Sequence, residues 1–346
     1  MTQILLSICI NTRNRADLLT ETLESMISQI TDGVEIVVVD GASTDSTPNV
    51  MQEFTRQYKY IKYVRSDDDI GIDDGYDLSV ENSCGEYCWL MPDDDIACNG
   101  ALDKILSEIK NNFELIILNL ELFTKNLDID LKQRLFNVDQ DKIYTQNQFD
   151  DFLSDLGSGL SYIGCIVIKR SLWFEHDRSC FYGSYFIHVG VICSSSNINN
   201  ILFVNEPLIM YRSANSSWTA RSFEIWYFKW PKLIWSFENI KNQVKHNITS
   251  RTPWDRGFTL LKSRAMGEYQ YSIFRKSLAS KGSSIHRLRN VFISILPVTL
   301  LNYTMVIFCL IFRRNNLYTI YTLIMSSKRR VFLSKLCTVF NIKLTV

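Results

Sequence analysis

Three consecutive carboxylates, Asp93, Asp94 and Asp95, close the apolar run GEYCWLMP (Gly85–Pro92). Neighbouring carboxylates repel one another, so such a triplet is costly unless water or a cation sits among them. Magnesium and manganese suit the second case. They prefer oxygen ligands and complete their shell with one or two protein carboxylates and substrate phosphates. A solvated acidic loop is the plain alternative. Two further polar groups follow apolar runs in the same manner: Asn11, Thr12, Asn14 and Arg15 after ILLSICI, and Asp40, Ser43 and Asp45 around the end of EIVVVD. The stretch SDDDIGIDDGYD (Ser66–Asp77) reads as a rich polar loop beside them.

These groups need a scaffold that delivers them to one place. Over the first 120 residues strand and helix patterns alternate, with strands expected at Ile4–Ile10, Glu35–Val39, Tyr60–Val64, Tyr87–Met91 and Phe113–Leu120. Leu19, Leu23, Met26, Ile27 and Ile30 repeat at helical spacing between the first two. The alternation predicts βαβ units and an α/β fold, a mostly parallel central sheet with helices on both faces. Ligands of such sheets bind beyond the carboxyl ends of the strands, where the polar groups fall.

Order and spacing together resemble the inverting family 2 glycosyltransferases, which act on nucleotide-diphosphate sugars. LSICINTRNRADLLTETLESM is similar to the family's opening strand, loop and helix, EIVVVDGASTDST to its nucleoside-binding strand and turn, and GEYCWLMPDDDI to its acidic metal motif. The resemblance covers about 215 residues and implies a GT-A-type fold. It implies that Asp40 accepts a hydrogen bond from the nucleotide base with Thr12, Asn14 and Ser43 nearby. Asp93, Asp94 and Asp95 would hold a divalent cation, Mn or Mg, against the diphosphate. The family often has an acid where this chain has Pro92, which favours Asp94 or Asp95 as the direct ligand. Asn11 stands where proline is usual, and Gly41 replaces a frequent second acid.

Further along, GSYFIHVGVICSS and NEPLIMYRSANSSW resemble the abequosyltransferase-like branch that builds bacterial O-antigen units. His188 stands about where the family places its catalytic base, with Asp177 and Glu175 as alternatives. A lone histidine in an apolar stretch also has a bland reading as a hydrogen-bonded core residue. The chemistry implied is attack of an acceptor hydroxyl on the sugar's anomeric carbon as the cation stabilises the leaving diphosphate. A non-catalytic nucleotide-sugar or carbohydrate-binding protein on the same fold is the competing reading. A sugar nucleotidyltransferase would carry a glycine-rich, lysine-bearing phosphate loop after the first strand, and none is present.

Composition adds a boundary. Of 346 residues, 46% are hydrophobic and the formal net charge is zero, so nucleic acid is not an expected partner. The charges are unevenly placed: Glu268 is the last acidic residue, and the 12 charged residues beyond it are all Lys or Arg. Nine cysteines and four histidines lack zinc-site spacing and suit a reducing cytosol. Residues 1–215 are expected to form the catalytic domain, with a nucleotide-binding half to about 120 and an acceptor half beyond. Residues 216–346 are expected to be helical, first aromatic-rich (Trp218, Trp226, Trp230, Trp235, Trp254), then basic and membrane-associating. Val291–Phe312 is a 22-residue uncharged run, long enough to span a bilayer if it forms one helix, with a core helix as the alternative. An anionic membrane surface, the cytoplasmic face of the inner membrane, and a polyprenyl-diphosphate-linked glycan acceptor are the corresponding expectations.

Overall fold

A computed structural model describes residues 3–195, 198–215 and 219–344; Trp218 lies outside them. The strands are β1 (Leu6–Thr12), β2 (Val34–Asp40), β3 (Ile61–Arg65), β4 (Tyr87–Leu90), β5 (Ile96–Ala97), β6 (Leu115–Phe123), β7 (Asp130–Arg134), β8 (Lys142–Thr145), β9 (Ile166–Lys169) and β10 (Asn200–Arg212). They make one sheet in the order β3-β2-β1-β4-β9-β6-β10-β5, with β7 on β6 and β8 on β10. β3, β2, β1 and β4 run parallel, whereas β9 is antiparallel to both β4 and β6. β1 and β2 are buried along almost their whole length, as expected of parallel strands covered on both faces.

Register is what aims the chemistry. Thr12 lies opposite Asp40, and Asp40 opposite Arg65, so the ends of three strands form one row. β4 stops at Leu90, and the Met91 N–H still reaches the Cys9 carbonyl at 3.0 Å before the chain turns into the acidic triplet.

The helices α1 (Ala16–Ile27), α2 (Thr47–Gln57), α3 (Gly71–Glu81), α4 (Ala101–Ile109) and α5 (Phe149–Leu156) follow in chain order. α3 corrects one expectation, because the acid-rich stretch read as a loop is helical from Gly71. Its acids are not solvated as a group. Asp73 and Asp77, four residues apart, share the buried face with Tyr76 and Val80, and Asp77 is held by Trp173, Arg178 and Tyr182. Gly75 lets this helix press on β1, since a Cβ there would stand 2.0 Å from the Asn11 Oδ1.

The chain forms two compact units: Met1–Glu121 with Arg134–Tyr211 and Ser236–Ile248, and Leu122–Gln133 with Arg212–Trp235 and Thr249–Val346. The second unit has its own apolar core of Phe223, Tyr227, Leu260, Tyr269, Leu278 and Ile293, against which Trp226 and Trp254 pack. Here the 22-residue uncharged run is not one helix. It breaks between Ser284–Ile295 and Val298–Phe312, which meet at 98°. Pro297 cannot supply the N–H that the Ile293 carbonyl would accept in a continuous helix; that carbonyl accepts the Leu296 N–H at 3.3 Å, and the Leu296 carbonyl accepts from Arg264 Nε at 2.8 Å and Nη2 at 2.6 Å. No single helix among the described residues is long and apolar enough to cross a membrane.

Candidate active site

The triplet is divided between two partners. Arg15, at the start of α1, places Nη1 2.5 Å from Asp94 Oδ2 and 3.3 Å from Asp93 Oδ1. Burial disfavours the Arg15 cation, but the charges of Asp93 and Asp94 outweigh it and raise its pKa. Asp95 Oδ2 accepts from the Tyr162 hydroxyl at 2.6 Å, while its carbonyl accepts from Thr22 at 2.8 Å. Asp93 and Asp95 are buried; Asp94 is the most open of the three. Burial and repulsion by Asp94 raise the Asp93 pKa, against the pull of Arg15 and of the adjacent Thr12 hydroxyl.

Asp40 does not face a ligand. Its carboxylate is fully buried: Oδ1 accepts from the Ser43 N–H at 2.8 Å, and Oδ2 from the Tyr63 hydroxyl at 2.6 Å and Arg65 Nη1 at 3.0 Å. Burial, then the bond to Asp40, push the Tyr63 phenol up to about 12. Reading a base needs an open acceptor, and in this arrangement both Asp40 oxygens are engaged by Ser43, Tyr63 and Arg65. Thr12 and Ser43 are buried as well. Asn14, in the left-handed region at φ 54°, is exposed, and its Oδ1 accepts the Thr44 N–H at 2.7 Å. Ser43 Oγ accepts the Asn14 N–H at 2.8 Å, so the loops after β1 and β2 are tied together. Asp45 completes the knot by accepting the N–H groups of Ala16 and Thr47.

Sequence reasoning passed over the exposed pair on this rim. Arg13 Nη1 lies 2.5 Å from Asp69 Oδ2, with both side chains about half exposed. A Cβ on Gly41 would stand 3.8 Å from Arg13 Cδ and 4.0 Å from Asp69 Oδ1. The signal available was an Arg–Asn pair directly after a strand that ends in polar residues. Tyr162, the partner of Asp95, carried no sequence signal, because 67 residues separate them.

His188 is a core residue. It is 1% exposed, Nε2 lies 2.9 Å from the Leu160 carbonyl, and burial lowers its pKa to about 4. A base for an acceptor hydroxyl needs a lone pair that the hydroxyl can reach, so this arrangement does not support the expected role. Of its alternatives, Asp177 is exposed and accepts from the Ser179 N–H and hydroxyl, which lower its pKa, while Glu175 Oε2 accepts from Ser195 Oγ at 2.5 Å. Asp73, absent from the expected list, accepts the N–H groups of Tyr185 and Ile187, and burial raises it to about 6.

Among the described residues no group of three or more His, Cys, Asp or Glu is arranged to hold a metal. Two carboxylates remain on one cation. Asp93 and Asp94 converge on Arg15, a hard oxygen donor set of the size that magnesium or manganese uses when phosphates fill the rest of the shell.

Comparisons with known proteins agree with this geometry. The family model "Glycosyl transferase family 2" matches residues 7–173, which contain the sheet edge, the triplet and α3. The abequosyltransferase RfbV of Salmonella typhimurium is 26% identical over 272 residues, covering 72% of this chain and 82% of that protein. The GalNAc(5)-diNAcBac-PP-undecaprenol beta-1,3-glucosyltransferase of Campylobacter jejuni is 28% identical over 109 residues, 31% of this chain and 35% of that one. Among solved structures, S. aureus TarS 1-349 superposes with a TM-score of 0.53 at 15% identity, covering 92% and 90% of the two chains. The mannosyltransferase PcManGT of Pyrobaculum calidifontis, in complex with GDP-Man and Mn2+, gives 0.54 at 14% identity, covering 94% and 87%. These likenesses establish the GT-A-like fold, and residues 7–173 match the glycosyl transferase family 2 model.

Proposed function

We propose that this protein transfers a sugar from a nucleotide-diphosphate sugar to a glycan acceptor in bacterial O-antigen or related surface polysaccharide synthesis. The observation that carries the reading is the Asp93–Asp94 pair gathered on Arg15 at the carboxyl end of β4, beside the row formed by the ends of β1, β2 and β3. A diphosphate brought to this edge would meet the Arg15 and Arg13 guanidinium groups. Asp94, with Asp93, would hold a magnesium or manganese ion; when bound, that ion neutralises charge developing on the leaving diphosphate. Arg15 would orient the two carboxylates until the ion and donor arrive. Buried Asp40 would keep the loop after β2 in shape, so that base and ribose lie over Gly41 and Asn14 rather than against the carboxylate itself. Inversion at the anomeric carbon is the outcome expected of direct attack by the acceptor hydroxyl.

The similarity to RfbV and to the Campylobacter glucosyltransferase, whose name includes PP-undecaprenol, favours a polyprenyl-diphosphate-linked acceptor at the cytoplasmic face of the inner membrane. Calorimetry with a panel of nucleoside diphosphates, with and without manganese, tests the donor site. Asp94→Asn is expected to weaken the manganese-dependent binding at least about 10-fold, the scale of losing one charge-assisted contact. Unchanged affinity would remove the metal role. Binding without any sugar release or transfer over the full panel of nucleotide sugars would favour the non-catalytic reading.

A further inference from the structure

The helix Ser284–Ile295 is inverted relative to an ordinary surface helix. Its buried residues are Asn290, Ile293 and Ser294, two of them polar, while Ile285, Leu288, Phe292 and Ile295 recur every three or four residues on the outside. Leu288 is 71% exposed and Phe292 60%. Beyond the bend, Val298–Phe312 buries Asn302, Met305, Val306, Cys309 and Leu310 and leaves Phe312 71% exposed. The outer rings join up: half-exposed Phe258 lies 6.4 Å from Phe308, Phe308 lies 5.2 Å from Phe312, and the Arg313 guanidinium sits 5.8 Å from the Phe258 ring. So large an outward apolar surface on a water-soluble face would be a site of association.

We infer that this face is an in-plane docking surface for an anionic lipid bilayer, with the bent pair Ser284–Ile295 and Val298–Phe312 lying in the headgroup layer. Charge selects the occupant. Every charged residue after Glu268 is Lys or Arg; Arg287 lies within the first helix of the pair and Arg313 and Arg314 follow the second, while Arg289 is held by the Trp254 and Asp255 carbonyls. Basic residues beside apolar side chains at a surface match anionic headgroups over an acyl layer, and the two attractions add. A second copy would bring the same positive charge to the same face and repel it. The 98° bend between the two helices, neither of which is long and apolar enough to cross a bilayer by itself, argues for lying in the layer rather than spanning it. The inference does not rest on the transferase reading.

The test uses the full-length chain and sedimentation with phosphatidylcholine vesicles containing or lacking phosphatidylglycerol. Binding to the anionic vesicles is expected to exceed binding to the neutral ones at least about 10-fold, to weaken in 1 M salt where the Debye length falls to about 3 Å, and to persist in part through the apolar contacts. The double variant Leu288→Asp, Phe292→Asp is expected to lower binding at least about 10-fold while its circular dichroism and melting stay as in wild type. Should that variant not fold, the milder Phe292→Gln, Phe312→Gln pair carries the same expectation. Protease added outside sealed vesicles should cut at both Arg287–Arg289 and Arg313–Arg314; protection of one basic pair would show a span and overturn the in-plane placement. Wild type that ignores anionic vesicles overturns the proposal. So does a dimer in solution that the variants convert to monomer, which would assign the face to a second copy.

Discussion

Asp94 and Asp95 are adjacent in sequence and opposite in role. Asp95→Ala strands the buried Tyr162 hydroxyl and is expected to cost about 1–3 kcal/mol of stability, read by denaturant unfolding, with manganese affinity unchanged. Asp94→Asn is expected to show the reverse. Asp40→Ala leaves the Ser43 N–H, Tyr63 and Arg65 without their acceptor, a loss of about 3 kcal/mol, and should lower the melting temperature without changing which nucleotide base is preferred. Arg13→Ala, on the exposed rim, should instead weaken nucleoside diphosphate binding about 10-fold at unchanged stability, because surface ion pairs contribute little to folding. His188 adds a pH signature. Its pKa is lowered in the folded state, to about 4, so its stabilising effect is present above the unfolded value of about 6.5 and is lost as pH falls through that window. Between pH 7 and pH 5 this amounts to about 2 kcal/mol, and His188→Gln, which keeps a donor for Leu160, should flatten the decline in urea midpoint over that range.

At the scale of elements, two close approaches hold the catalytic edge and the C-terminal bend. Where α3 packs on β1, Gly75 faces the Asn11 side-chain amide, which would have to swing aside for a Cβ. Gly75→Ala would displace the Asn11 amide rather than the helix and is expected to cost about 1 kcal/mol, read by denaturant unfolding, whereas the double variant Asn11→Ala, Gly75→Ala should recover most of it. At the bend Pro297 has no N–H for the Ile293 carbonyl, which accepts the Leu296 N–H instead, and Arg264 donates two N–H groups to the Leu296 carbonyl. Asn302 fastens the second limb by donating to the Leu323 carbonyl at 2.9 Å and the Ala265 carbonyl at 3.2 Å. Arg264→Ala is expected to leave that carbonyl unsatisfied, lower stability by about 1–3 kcal/mol and increase exchange in Val298–Phe312. Pro297→Ala with Arg264 intact should do neither, since the arginine still holds Leu296 at the turn.

For the molecule as a whole, the uneven charge divides the work. The acidic body carries the carboxylates that suit a cation and a diphosphate, and the basic, outwardly apolar end suits a lipid surface. If both readings hold, transfer to an acceptor embedded in anionic vesicles should rise with vesicle surface and fall with salt alongside binding, whereas nucleotide binding in solution should keep only the weaker salt dependence of its own charges. Measuring both in one salt titration separates membrane attachment from donor affinity.

Much of this was legible in the chain itself. Strand and helix alternation located β1–β4 and β6 to within a few residues and missed the two-residue β5, because strands buried on both faces are apolar runs and their polar ends stand out. The motifs likewise pointed to the edge where Thr12, Asp40 and the triplet gather, since parallel strands must end on the same side. Partners were not legible. Whether a carboxylate faces a ligand or a buried neighbour depends on groups far off in sequence: Tyr162 for Asp95, Arg65 for Asp40, Leu160 for His188. The acids of α3 read as part of a polar loop, yet two of them are buried against Arg178 and the chain around Tyr185. The 22-residue apolar run likewise counts as a span by hydropathy, which averages along the chain. Its bend comes from one missing N–H and an arginine 32 residues earlier, a contact that only tertiary structure could decide.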